Sequence, residues 1–377
     1  MNEYLDHIVV ELDSSKKSKK IAIFIDALSG GGAEKVMMSL ASQLVQLGHQ
    51  PELIVLTNRF DYDKPSEYPV HTLYEDEKVK VNGWFDKKRH AKKLTQLVES
   101  LQLNKKYDLF LSNLDDCNRV VSACNFSPCY YVVHNSVEET VRRTRRLGPF
   151  KLAYLKRCLK ALNGKNLITV SKGIENEIKQ HQRIKPLTIQ TIYNPFDIDS
   201  IKQLALQEDD DIPKEKYLIH VGRLAKQKRH DILFEAFSKV DEAYKLVCLC
   251  NKPEKALNLA DKYGIKDRLI VPGFKQNPYN WIAKAEALVL SSDFEGLPTV
   301  LIEAITCNTV PVSTACPHGP DEILLGDLAA NLAPMRDPLS LANVMNNALN
   351  CDFDLENASI LPMVSAEKIA EQYLNLI

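Results

Sequence analysis

No Cys-x-x-Cys pair occurs anywhere in the 377 residues, and the nine cysteines are scattered along the chain. That spacing argues against a structural zinc site or a disulfide framework, and it suits a reducing cytoplasm. Cys248, Cys250 and Cys307 stand in apolar or strand-like surroundings, where a reduced thiol behaves as a small hydrophobe. No apolar run approaches the roughly 18 residues that a membrane-spanning helix needs. The N-terminal stretch is polar and charged through Lys20, so no secretory signal is expected. Charge of one sign is lacking as well. The 48 Lys and Arg nearly cancel the 49 Asp and Glu, and a net charge of -1 gives no reason to expect nucleic acid as a partner. Repeats of the solenoid type are absent.

What remains is an ordinary globular composition, 45% hydrophobic and 26% charged, in a chain long enough for two domains with a core each. After the lysine-rich lead-in, the apolar run Ile21 to Asp26 reads as a buried strand. Gly30, Gly31 and Gly32 follow, then Ala33-Glu34 and a helical pattern through Leu47. Glycines between a strand and a helix let the backbone turn sharply and approach a ligand at the helix start. The Gly-Lys-Ser/Thr ending of a P-loop is missing, so a tight turn without a ligand fits these residues equally well. Further strands are predicted at 52–56, 70–73, 108–112 and 130–133, with a helix near 91–101. The last of these strands runs into His134-Asn135, and a polar pair at the carboxyl end of a buried strand is where open α/β sheets place ligand groups.

Between Arg142 and Lys165 the charges are concentrated. Arg142, Arg143, Arg145, Arg146, Lys151, Lys156, Arg157, Lys160 and Lys165 interleave with Leu152, Tyr154, Leu155, Leu159 and Leu162. Such a basic amphipathic stretch fits an anionic membrane surface or an anionic acceptor, and a solvated helix face is the alternative. Strands at 167–170 and 188–192 continue the alternation until Asn194-Pro195 stops it. Glu208 to Asp211 with Pro213 reads as an exposed linker of solvated charge.

The alternation restarts with a strand at 217–221 and the segment Gly222-Arg223-Leu224-Ala225-Lys226-Gln227-Lys228. Gly222 allows a close turn, while Arg223 and Lys228 can bring a planar fork and a point charge over one diphosphate, although in isolation surface salt-bridge partners fit the two residues better. Strands at 245–249 and 269–271 follow, and Pro272-Gly273-Phe274-Lys275 makes a loop suited to stacking or hydrogen-bonding a base. The strand Ala287 to Leu290 leads into Ser291-Ser-Asp-Phe-Glu-Gly-Leu-Pro-Thr-Val-Leu-Ile-Glu303. Pro298 sits where a helix begins, leaving the Thr299 and Val300 amides for an anion between the carboxylates of Glu295 and Glu303. On spacing alone, a loop acid and a solvated helix acid fit as well as a ligand site. Alternating strands and helices with short connections specify mostly parallel, doubly wound sheets.

Gly30-Gly31-Gly32-Ala33-Glu34, His134, Gly222-Arg223-x4-Lys228, Glu295-x7-Glu303 and Gly319-Pro320-x-Glu322-Ile323 occur in one order. In that order the chain resembles the retaining, nucleotide-sugar-dependent glycosyltransferases of the GT-B fold. More narrowly, it resembles the bacterial members that build lipopolysaccharide, capsule and other surface glycans. The resemblance covers nearly the whole chain, and its second-half motifs are the specific part. It implies an α/β architecture of two doubly wound, Rossmann-like domains facing across a cleft. Residues 1–200 would form the acceptor side and 201–363 the nucleotide-sugar side, with the helix 364–377 crossing back to the first domain.

The resemblance also implies roles. Arg223 and Lys228, beside Gly222 and the Thr299 and Val300 amides, would hold the donor's diphosphate. Glu303 would take the ribose hydroxyls, and Glu295, with Gly296 and Leu297, the transferred sugar. Gly273, Phe274 and Lys275 would hold the base. Gly31, Gly32, Glu34, His134 and Asn135 would face the reacting centre from the other domain. Arg223, Lys228, Glu295 and His134 are therefore the expected catalytic group.

The expected reaction moves a hexose or N-acetylhexosamine, from a UDP-sugar above all, to a glycan or glycolipid acceptor. No cofactor and no metal is needed if protein cations stabilise the leaving diphosphate, and Asp209-Asp210-Asp211 is read as solvated charge rather than an Asp-x-Asp metal motif. The expected location is cytoplasmic, peripheral on the inner face of the membrane. A nucleotide-sugar epimerase, a sugar-phosphate synthase or a non-catalytic nucleotide-sugar-binding scaffold would share the fold. Two departures stand out from the family pattern. Arg229 follows Lys228 where glycine is common, and Ala315-Cys316-Pro317-His318-Gly319 replaces a more glycine-rich loop.

Overall fold

The computed structural model describes residues 17–28, 32–60, 64–83 and 85–377. Seven strands form the first sheet: Lys20–Ile25 (β1), Gln50–Thr57 (β2), Val70–Tyr74 (β3), Leu109–Asn113 (β4), Cys129–Val133 (β5), Asn166–Thr169 (β6) and Thr188–Thr191 (β7). Six form the second: Tyr217–Val221 (β8), Lys245–Leu249 (β9), Leu269–Ile270 (β10), Ala287–Leu290 (β11), Val310–Thr314 (β12) and Leu332–Ala333 (β13). Every pairing in both sheets is parallel. β1, β4 and β11 are buried at every residue, which is why they read as unbroken apolar runs rather than alternating ones.

The strand orders are β3-β2-β1-β4-β5-β6-β7 and β10-β9-β8-β11-β12-β13. Each order reverses once, between β1 and β4 in the first sheet and between β8 and β11 in the second. Such a reversal opens a crevice at the carboxyl ends of the two strands, where ligands of open α/β sheets bind. The segments leaving those four strands carry Asp26, Asn113 with Asp115, Gly222 to Lys228, and Ser291 to Glu295.

The chain passes between the sheets twice at one place. Phe196 donates its N–H to the Val364 carbonyl, and Ala366 donates to the Phe196 carbonyl, both at 2.9 Å. Beyond that bridge the helix Ala366–Leu374 packs on the helix Gly32–Gln46 of the first sheet's layer. Position 200 lies inside the helix Ile198–Ala205, which packs against the second layer's helix Tyr279–Ala283. The acidic stretch beyond it is not merely solvated, and that expectation is corrected. Asp209 and Asp211 hold the Lys275 ammonium at 3.4 and 2.7 Å, and Asp209 accepts the Trp281 indole N–H at 2.9 Å. A linker charge at this point works as a clasp onto the second domain.

Candidate active site

The turn after β8 and the turn after β11 meet. The Asp293 N–H donates to the Gln227 carbonyl at 2.8 Å, the Gln227 amide donates to the Phe294 carbonyl at 2.7 Å, and Ser291 Oγ donates to the Lys228 carbonyl at 2.7 Å. These bonds fix two loops that share no sequence proximity. Within them the Lys228 ammonium lies 2.8 Å from Glu295 Oε1, in a pair that is mostly buried. Gly222 is needed beside it, because a Cβ there would lie 3.1 Å from His220 Nε2 and 3.5 Å from Lys228 Cε. Arg223 is exposed and forms one wall of a cavity of about 310 Å³ between the two layers, opposite His134 and Asn135.

Arg229 adopts the left-handed conformation, with φ 48° and ψ 51°. A glycine would do so at no steric cost, whereas an L-residue there is strained. The arginine brings compensation that glycine lacks, since its guanidinium holds Asp231 at 2.7 Å and Asp293 at 3.2 Å. The same Asp293 oxygen, Oδ1, also accepts from Arg336 at 2.9 Å. The departure from the family pattern therefore keeps the turn and adds an ionic clamp on the loop that carries Glu295.

The helix Thr299–Thr306 begins after Pro298, which has no side chain able to cap the first turn. Intrahelical bonds do not reach the Thr299 and Val300 amides, which makes them available to an anion. Glu303 is buried one turn further on and meets Lys35 of the first domain at 3.5 Å. Lys35 also donates to the Tyr279 hydroxyl at 2.6 Å. Gly32, Lys35, Tyr279, Thr299 and Glu303 line a second cavity of about 180 Å³ across the domain junction.

On the first domain, Asn113 donates its amide to the Phe24 carbonyl at 3.1 Å, so its Oδ1 faces His134 Nε2 at 2.9 Å. That arrangement assigns the proton of neutral His134 to Nε2 and leaves Nδ1 as the acceptor. Burial holds the imidazole neutral, its pKa lowered to about 4. Gly296 lies directly against the His134 backbone, and a Cβ at 296 would collide with the His134 carbonyl oxygen. The glycine after Glu295 is thus a point of contact between the domains, with buried Leu297 beside it.

Glu34 is buried near Asp26, whose carboxyl is pushed well above the usual range by burial, helped by Asp116, Asp115 and Glu34. Gly31 lies outside the described residues. The Lys275 ammonium, expected at the base, is taken up by Asp209 and Asp211. Gly273, at φ 93°, is buried at the base of that loop, and Phe274 is 79% exposed on its surface.

Asp115 and Thr140 were not singled out in the sequence. With Arg143 of the basic stretch they line the 310 Å³ cavity and continue into a groove of about 470 Å³ lined also by Leu147, Phe150 and Lys151. Asn113-Leu114-Asp115 at the end of a buried strand carries the same signal as His134-Asn135, and it identifies the wall of the cleft on the same reasoning. Among the described residues, no cluster of three or more His, Cys, Asp and Glu side chains is arranged to hold a metal ion.

Residues 203–360 match the family Glycosyl transferases group 1, and residues 30–200 match Glycosyltransferase Family 4. A relative from Campylobacter jejuni, N-acetylgalactosamine-N,N'-diacetylbacillosaminyl-diphospho-undecaprenol 4-alpha-N-acetylgalactosaminyltransferase, is 28% identical over 82% of this chain and 84% of its own. The lipopolysaccharide 1,6-galactosyltransferase of Escherichia coli is 27% identical over 51% of this chain and 55% of its own. Among solved structures, Anabaena HepE with UDP and glucose superposes with a TM-score of 0.67 at 17% identity, covering 95% of this chain and 97% of that one. Staphylococcus aureus TarM gives a TM-score of 0.72 at 14% identity, over 95% and 99%. With two facing parallel sheets, both halves matched and both crevices lined by the motif residues, the chain belongs to the GT-B-fold glycosyltransferases, its second half in Glycosyl transferases group 1 and its first in Glycosyltransferase Family 4.

Proposed function

We propose that the protein transfers a hexose or N-acetylhexosamine, with retention at the anomeric carbon, from a UDP-sugar to a lipid-linked glycan during assembly of a bacterial surface polysaccharide. The observation that carries this reading is the Lys228–Glu295 pair, set beside a helix start in the second crevice, with the neighbouring Gly296 against the His134 backbone of the first. Arg223, Lys228 and the Thr299 and Val300 amides bind the diphosphate, and they stabilise the charge that grows on it as the sugar–oxygen bond breaks. Glu303 accepts from the ribose, Glu295 from the sugar, and the backbone around Gly273 and Phe274 takes the base. The acceptor hydroxyl forms its bond to the anomeric carbon on the face the diphosphate leaves, and its proton passes to the departing phosphate oxygen. No protein nucleophile is assigned, because Glu295 is oriented by the Lys228 ammonium. Protein cations take the place of a metal ion.

The acceptor reading draws on the diphospho-undecaprenol named for the Campylobacter relative. The groove that leaves the transfer cavity offers cations at Arg143 and Lys151 and apolar surface at Leu147 and Phe150, which complements a diphosphate on a hydrocarbon chain. No described helix is long and apolar enough to cross a membrane. We place the protein peripherally on the inner face of the cytoplasmic membrane, held through that surface.

The test is a panel of nucleotide sugars scored for released nucleoside diphosphate, with and without polyprenyl-diphosphate-linked glycans and with chelator present. Acceptor-dependent release from one UDP-sugar, giving an anomeric configuration equal to the donor's by NMR, is the expected result. Release that needs no acceptor and yields a free epimerised sugar would replace this reading with the epimerase.

A further inference from the structure

His318 sits in the loop where the family pattern is richer in glycine, and it is the second domain's reach into the first. Its Nε2–H donates to Glu177 Oε2 at 3.0 Å. Glu177 is buried on the helix Lys172–His181 and also accepts from Ser136 Oγ at 2.6 Å and from the Val137 and Glu138 amides at 2.7 and 3.3 Å. It is therefore fastened to the segment that follows His134 and Asn135. Burial pushes the Glu177 carboxyl up, but the bonds from His318 and Ser136 outweigh it and hold the group ionised, below the usual range.

The backbone of the same loop is bonded to Glu295. The Glu295 N–H donates to the Pro317 carbonyl at 2.7 Å, and the His318 N–H donates to the Glu295 carbonyl at 3.3 Å. Gly319 packs beneath them at φ 100°, where a Cβ would meet Pro298 Cδ at 2.6 Å and the Gly296 oxygen at 3.1 Å. Three residues further, Glu322 accepts the Lys172 and Gly173 amides of the first domain at 2.8 and 2.7 Å and the Tyr193 hydroxyl at 3.0 Å. The loop has one side on the Glu295 turn and the other on the first domain. Its only side chain between those two attachments that crosses to Glu177 is His318.

We propose that His318 is a positioning residue for the transfer reaction: by bonding Glu177 across the cleft while its backbone holds Glu295, it makes correct placement of Glu295 depend on the two domains being closed. Closure then sets the sugar contact only when the acceptor side is in place, which limits loss of the donor to water. This rests on the transferase reading above. The effect of His318 passes through Glu295.

The test compares His318→Ala with His318→Gln, whose amide keeps a donor for Glu177. In His318→Ala, kcat should fall about 10- to 100-fold, the range expected for a misplaced catalytic group. Nucleoside diphosphate affinity by calorimetry should stay within about twofold, because the Gln227, Ser291 and Asp293 bonds that fix the Arg223–Lys228 turn do not pass through His318. The fraction of donor lost to water should rise, and His318→Gln should restore most of the rate. Hydrogen exchange at the Glu295 amide should quicken in His318→Ala and not in His318→Gln. An unchanged kcat, unchanged exchange at Glu295, or equal loss in both variants would overturn the proposal. If the wild type turns over no nucleotide sugar at all, the transferase reading fails, and the exchange measurement alone still decides whether His318 holds Glu295.

Discussion

The Lys228 ammonium and the Glu295 carboxylate are 2.8 Å apart, so the cation proposed for the diphosphate and the acid proposed for the sugar form one ion pair. Removing either partner leaves the other charge largely buried and unpaired. We expect Lys228→Met and Glu295→Gln each to lower kcat/KM by at least ~10²-fold, the order seen when one charge-stabilising group is lost. Because the two act as one unit, the double variant should be little worse than the worse single variant. Steady-state kinetics on all four proteins checks this, and effects that multiply would show that the pair is not coupled.

Arg229 offers a stability experiment with opposed terms. Arg229→Gly relieves a left-handed residue, worth about 1–2 kcal/mol, and removes partly buried ion pairs worth about 0.2–1 kcal/mol each. The two nearly cancel, so urea unfolding should place it within about 1 kcal/mol of the wild type. Arg229→Ala keeps the strain and loses the same pairs, so it should be less stable than Arg229→Gly by about 1 kcal/mol. Equal stability of the two variants would mean that the turn is not strained.

Much of this architecture was legible as sequence. Runs such as Ile21 to Ile25 and Ala287 to Leu290 read as buried strands because parallel strands covered on both faces leave no polar alternation. Arg223, Lys228, Glu295 and Glu303 could be picked out because each lies just beyond a strand or at a helix start. What stayed hidden depends on how one sheet faces the other. Glu177 and His318 are 141 residues apart, and Lys35 and Glu303 are 268 apart, so no local pattern announces either pair. The ion pairs of Lys275 were hidden for a related reason: a loop lysine beside an aromatic looks free until the chain returns Asp209 and Asp211 to it. The arginine at 229 was visible as a departure, but its remedy required seeing Asp231 and Asp293 within reach of the guanidinium.

Acid should weaken the second domain through His230. This ring is buried, packs edge-on to His220 with centroids 4.6 Å apart, and has no hydrogen-bond partner at either nitrogen among the described residues. Burial, with the Lys228 charge adding, lowers its pKa to about 4 from an ordinary 6.5. The unfolded chain binds the proton more readily than the folded one between these values. The stability tied to a neutral His230 is therefore complete above about pH 6.5 and is lost as pH falls towards 4. At about pH 5 the loss amounts to roughly 2 kcal/mol. His230→Phe, which cannot protonate, should lose less stability between about pH 7.5 and pH 5 than the wild type, measured by denaturant unfolding at each pH. Identical pH slopes would exclude His230 as a source of acid sensitivity.

The basic stretch divides into two helices, Val137–Arg145 and Pro149–Ala161, and this division bears on the proposed membrane contact. Val137, Val141, Leu155 and Leu159 face the core, so the stripe that looked amphipathic in sequence already has a partner. What projects instead is the turn between the helices, where Leu147 is 53% and Phe150 80% exposed. Arg145, Arg146 and Lys151 stand exposed around it, while Arg142 is paired with Glu139 at 2.5 Å. An apolar tip ringed by cations fits the headgroup boundary of an anionic bilayer, with about 1 kcal/mol from each basic residue near the surface. Two variants separate the contributions. Leu147→Ser/Phe150→Ser should lower partition onto anionic vesicles at every salt concentration, since apolar insertion is not screened. Arg145→Gln/Arg146→Gln should lower it most at low salt, and the difference should shrink towards physiological ionic strength, where the screening length is about 8 Å. Vesicle sedimentation with anionic and with neutral lipid reads both effects. Wild-type partition in both variants would leave the turn a solvated face, and the acceptor would then have to reach the cleft without it.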